Sequence, residues 1–146
     1  MQTMPTTGRT VEKELFIAAA PERVYRAFTD KQDLQRWFVT NAEVQAQPGG
    51  VFNLHWNDDT VNGEFVELEP NRRITFTWDE RPRYGITTCT IELIPEADGT
   101  LLRLTHTGFG GGDNWDELYN GVNTGWTQEL AHLKTWLETG VEKTWS

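Results

Sequence analysis

The chain has 146 residues, 37% apolar and 12% aromatic, with seven Trp and a formal net charge of −9. That length suits one domain with a real core, and the aromatic content excludes a disordered chain. The acidic balance argues against sequence-independent binding to nucleic acid, which needs a cationic face, and against docking on an anionic membrane.

Cys89 is the only cysteine, which excludes an internal disulfide and a thiolate metal cage. Ser146, the last residue, is the only serine, which excludes a serine hydrolase. The longest apolar stretch, residues 16–20, is far short of the ~20 residues needed to cross a bilayer, so no membrane insertion is expected. Residues 1–9 lack the apolar segment of a secretory signal. The expectation is a soluble, cytoplasmic protein with a flexible tail over 1–9, a single domain over 10–140 and a C-terminal tail over 141–146.

The first predicted element is a strand over residues 11–18. Pro21 then suits the first position of a helix, where no helical partner for its N–H is needed. Val24 and Phe28 share one face of that helix. Thr29-Asp30 can end it or cap a second short helix carrying Leu34 and Trp37. From about residue 51 to 107 the period changes to two. Phe52, Leu54 and Trp56 alternate with Val51, Asn53 and His55, and the same period runs through Ile74, Phe76 and Trp78, then Cys89, Ile91 and Leu93, then Leu102, Leu104 and His106. Short turn signals between these runs require antiparallel neighbours. Phe65 and Val66 break the phase within 63–68, which predicts a bulge.

The last element is a long helix. Trp115, Leu118, Val122, Trp126, Leu130, Leu133 and Leu137 recur every three or four residues. Asp113 is a natural cap, and Gly140 suits the stop. Gly121 and Gly125 are exceptional, since each costs about 1 kcal/mol in a helix interior. Either they border an opening close to Trp126 or they kink the helix over a curved sheet. The predicted fold is α+β: a curved antiparallel sheet of about seven strands around a long C-terminal helix, with two short helices after the first strand.

The segments Ala20-Pro21-Glu22-Arg23-Val24-Tyr25, Phe28-Thr29-Asp30, Leu34 and Trp37 are familiar together. So are Pro48-Gly49-Gly50-Val51-Phe52, Gly63-Glu64-Phe65-Val66-Glu67-Leu68 and Arg73-Ile74-Thr75-Phe76-Thr77-Trp78. Leu104-Thr105-His106-Thr107-Gly108-Phe109 and Gly125-Trp126-Thr127 complete the set. In this order the chain resembles the SRPBCC (START-like, helix-grip) superfamily, and within it the family named after the activator of heat shock protein 90 ATPase. The resemblance implies the fold derived above and a hydrophobic pocket under the long helix. It does not imply one activity, because relatives include chaperone regulators and stress proteins. The eukaryotic activators carry a separate N-terminal domain, so the resemblance implies correspondence to their C-terminal domain.

The aromatic set Trp37, Phe52, Trp56, Phe65, Phe76, Trp78 and Trp126 suits an apolar ligand in a cavity, or equally a dense aromatic core. Cys89, Leu104 and His106 share the inward phase, and Gly125 adjoins on the helix. His106 could orient a ligand or act as acid or base, or be a hydrogen-bonded core histidine. Cys89 reads as a small core residue. Glu64, Glu67 and Glu69 could include a buried acid/base pair, though a solvated sheet face explains them too. His55 and His132 stand apart on outer positions, and no metal site or cofactor is expected. The loop from Gly108 to Asp113 lacks the third glycine of a dinucleotide motif and no parallel strand follows it. The function expected is a non-catalytic domain that binds a small hydrophobic molecule, with a stress role in view. The alternative is a module regulating a chaperone of the heat shock protein 90 class. A third is a cyclase- or hydrolase-type enzyme, which would need a carboxylate converging on His106.

Overall fold

The computed structural model describes residues 9–110 and 113–144, and of residues 113 and 114 the backbone alone. The capping side chain of Asp113, Gly111, Gly112 and residues 1–8 of the expected tail therefore lie outside the described residues.

Strand β1 (Arg9–Ile17) leads into α1 (Pro21–Thr29) and α2 (Lys31–Trp37). Pro21 occupies the first turn of α1, and Val24 and Phe28 are both buried. Asp30 serves both helices. Its N–H closes α1 on the Arg26 carbonyl at 3.0 Å, and its carboxylate caps α2 by accepting the Asp33 N–H at 2.9 Å.

Strands β2 (Asn41–Val44), β3 (Phe52–His55) and β4 (Thr60–Val61) form one small sheet. Strands β5 (Phe65–Glu69), β6 (Arg73–Asp79), β7 (Ile86–Glu96) and β8 (Gly99–Phe109) join β1 in a second, in the order β1-β8-β7-β6-β5. Every pairing is antiparallel. Two isolated bridges, Val51 with Glu64 and Asn62 with Asp79, stitch the sheets together. Backbones come so close there that a side chain on Gly63 would collide with the Thr77 carbonyl. The expected bulge falls between Phe65 and Glu67, where the β5–β6 register shifts.

Among the described residues the strands number eight, against the seven or so expected. Strands β2 and β4 hold one buried residue each, Ala42 and Val61, too few to register as a period of two. The N-terminal boundary shifts by one residue. Arg9 belongs to β1, pairing with Phe109. The C-terminal tail follows the end of the last helix and is anchored, the Lys143 N–H bonding the Arg36 carbonyl at 2.9 Å and Glu142 meeting Arg36 at 2.8 Å.

Helix α3 (Asp113–Thr139) packs on β1 and β8 and reaches α2. Leu118, Val122, Trp126, Leu130 and Leu133 are buried, with Trp136 in addition. Each such side chain contributes about 1.5–3 kcal/mol when fully withdrawn from water. Gly140 follows with φ 82°, the left-handed conformation that stops a helix without strain. No helix among the described residues is long and apolar enough to cross a membrane.

Candidate functional site

A half-open cleft of about 340 Å³ lies between the first half of α3, the β3–β4 turn and the end of β6. Phe38, Trp56, Trp78 and Trp126 form the centre of its apolar wall, with Val61, Tyr84, Leu118 and Val122 around them. Phe38 meets Trp56 edge-on at 5.3 Å and Trp126 at 5.4 Å, while Trp78 lies 6.0 Å from Trp56 and 5.8 Å from Trp126. Such offset and edge contacts suit aromatic quadrupoles and hold the rings as one unit.

Each indole N–H in this wall is spent on the protein. Trp56 Nε1 donates to the Phe38 carbonyl at 3.0 Å, and Trp78 Nε1 to Glu80 Oε2 at 2.6 Å. Trp126 Nε1 donates to His106 Nδ1 at 3.0 Å. That bond assigns the tautomer, since an accepting Nδ1 leaves the proton on Nε2. Nε2–H then donates to Thr87 Oγ1 at 2.6 Å, and the Thr87 hydroxyl continues to the Trp78 carbonyl at 3.4 Å. His106 thus links two walls of the cleft, through the side chain of Trp126 and the backbone of Trp78. Burial lowers its pKa from 6.5 to about 3, so the ring is neutral at physiological pH. Both nitrogens are occupied. The hydrogen-bonded core histidine is therefore the reading that the geometry favours.

The inward residues singled out from the sequence separate into two groups. Trp56, Trp78, Gly125 and Trp126 line the cleft, and His106 stands behind Trp126. Trp37, Phe52, Phe65, Phe76, Cys89 and Leu104 do not reach it, a correction to the candidate list. Trp37 is fully buried, stacked on Phe38 at 4.7 Å, with Nε1 donating to the Ala27 carbonyl at 2.9 Å. Phe52 packs against Phe76 at 4.4 Å and Phe65 at 4.9 Å in the solid core. Cys89 and Leu104 are buried on neighbouring strands, and desolvation pushes the Cys89 thiol well above its ordinary pKa, which makes it inert. Glu64, Glu67 and Glu69 are exposed, so they form no buried pair. His55 bonds Glu43 at 3.1 Å and Thr60 at 3.2 Å on the outer face, and His132 is half-buried on α3.

Sequence reasoning missed the acids of the cleft. Glu117, Gly121, Gly125 and Glu129 follow one another at four-residue spacing, so one stripe of α3 presents acid, gap, gap, acid. That spacing was the available signal. An ideal Cβ built on Gly121 or Gly125 meets nothing within 4 Å, so both positions border open space. Glu129 is held by Lys143 Nζ at 2.9 and 3.1 Å. Burial raises the Glu129 pKa, and the lysine opposes that shift. Glu117 accepts from Tyr84 and, at 2.9 Å, from Arg83, which together lower its pKa. Half-buried Glu80 is shifted upward by desolvation, against the Trp78 N–H. Among the described residues, no three His, Cys, Asp or Glu side chains are grouped as metal ligands.

The profile of the family described as "Activator of Hsp90 ATPase homolog 1-like protein" matches residues 18–138. The human activator of 90 kDa heat shock protein ATPase homolog 1 is 34% identical over 101 residues, which is 68% of this chain and 29% of the human protein. The chain thus spans under a third of the length of that relative. A crystal structure of a Mesorhizobium loti protein superposes with a TM-score of 0.81 at 27% identity, over 89% of this chain and 97% of that one. The Aha1 dimer of Colwellia psychrerythraea reaches 0.81 at 22% identity, over 90% and 98%, a likeness of fold. Strand order, the helix gripped by the sheet and the match along 18–138 lead to one conclusion: this START-like chain belongs to the activator of Hsp90 ATPase homolog 1-like family.

Proposed function

We propose that the cleft binds a small apolar molecule without performing chemistry on it. The observation that carries this reading is the open aromatic cleft of about 340 Å³, left unfilled on the helix side by Gly121 and Gly125. That volume sits at the lower end of ordinary ligand pockets, which run to about 300–1,000 Å³. Two helix-interior glycines together lose about 2 kcal/mol of helix propensity relative to alanine, and a need for open volume accounts for their presence. The non-catalytic part of the reading rests on His106, whose two nitrogens are occupied behind Trp126. Native mass spectrometry of protein purified from its own host should detect a bound apolar molecule. Titration with a fluorescent apolar probe should saturate at one site. No retained ligand together with no probe uptake would defeat the proposal.

A second reading draws on the 34% identity to the human chaperone activator. In that reading the domain contacts a chaperone of the heat shock protein 90 class. Chaperone ATPase rate with and without the chain decides it: an unchanged rate with no measurable binding would retire the idea.

A further inference from the structure

We propose that the cleft selects a small organic cation, an ammonium or amidinium carried on an apolar body, over neutral and anionic molecules of the same shape. This deepens the ligand-binding reading and rests on it.

Phe38, Trp56, Trp78 and Trp126 supply ring surface, and the three indole N–H groups already point at protein acceptors. An anion or a carbonyl ligand would find no indole donor there. A cation needs none, since aromatic faces attract positive charge through their quadrupole, most strongly for Trp.

Charge balance points the same way. Four carboxylates line the cleft, those of Asp59, Glu80, Glu117 and Glu129. Arg83 is the sole cation among the described residues that line it, and it is bonded to Glu117 at 2.9 Å while its charge also reaches Glu80. Lys143 neutralises Glu129 at 2.9 Å. Asp59 and Glu80 form no ion pair among the described residues. Glu80 accepts the Trp78 N–H on Oε2, and no donor among the described residues meets Oε1. A half-buried carboxylate beside an indole, with one oxygen unmatched, is complementary to a cation whose apolar body lies on the rings. The net charge of −9 adds a favourable long-range field.

The test uses three naphthalene probes of one shape. They are naphthylmethyl-trimethylammonium, its neutral carbon isostere neopentylnaphthalene, and the anion naphthylmethanesulfonate. Each is titrated into the intact chain and followed by Trp fluorescence. The cation should bind on the order of tenfold more tightly than the neutral isostere, and the anion more weakly than both. Glu80→Gln retains an acceptor for the Trp78 N–H, and it should abolish most of the cation's advantage while leaving the neutral probe unchanged. Asp59→Asn, at an exposed position, provides a second variant with little risk to folding, and it should reduce the advantage by a smaller factor. Neutral binding equal to or tighter than cation binding would overturn the inference and leave the apolar-ligand reading standing. An undiminished preference in both variants would overturn it as well. Failure of all three probes to bind would remove the underlying reading and this inference with it.

Discussion

The His106→Gln variant at varied pH tests the buried network most directly. In the folded chain His106 stays neutral down to a pKa of about 3, whereas an unfolded chain titrates at the ordinary 6.5. Between those values the unfolded chain binds a proton that the fold excludes. The histidine's contribution is therefore fully present above pH 6.5 and is lost as pH falls towards 3. The slope is about 1.4 kcal/mol per pH unit, so two units below 6.5 remove about 2.7 kcal/mol. Glutamine does not titrate, and its amide matches the positions of Trp126 Nε1 and Thr87 Oγ1 imperfectly. At pH 7 the variant should be less stable by about 1–3 kcal/mol, the penalty of poorly matched buried polar groups. At pH 4.5 that gap should close or reverse, because only the wild-type chain pays the titration penalty. Urea unfolding followed by Trp fluorescence, run on both proteins at several pH values, measures the gap directly. Carboxylate titration is common to both and cancels. A gap constant from pH 7 to 4.5 would refute the assignment of a neutral, buried His106.

Two further sets of variants separate the cleft from the core. Gly121→Ala should raise stability by about 1 kcal/mol, or roughly 2–4 °C in melting temperature, because the added methyl meets nothing within 4 Å. Gly125→Leu should lower probe affinity while the melting temperature holds or rises. Unchanged affinity with a lower melting temperature would make that glycine purely structural. Trp37→Phe removes the donor to the Ala27 carbonyl and should cost about 1–3 kcal/mol in urea unfolding, with probe affinity unaffected. A loss of affinity at constant stability would move Trp37 into the site.

Local chemistry determined much of this protein before any tertiary contact. The stripe from Leu118 to Leu133, the Asp30 cap, the Gly140 stop and the alternation of Ile74, Phe76 and Trp78 are fixed by periods and caps within single elements. The slip at Phe65 and Val66 was equally local, and the bulge lies there. Strands β2 and β4 were invisible because four and two residues are too few to carry a period. Alternation also marks a side chain only as facing inward. It assigns the same phase to Phe76, sealed against Phe52, and to Trp78, which lines the cleft two residues later on the same strand. The difference is set by what covers each one. Helix α3 presents Gly121 and Gly125 to the outer end of the sheet and leaves that end unfilled. His106 likewise has inward phase from its strand, but its partners come from β7 and α3, 19 and 20 residues away in sequence. Period and propensity report which way a residue points, and only the packing of distant elements determines whether it meets a neighbour or an opening.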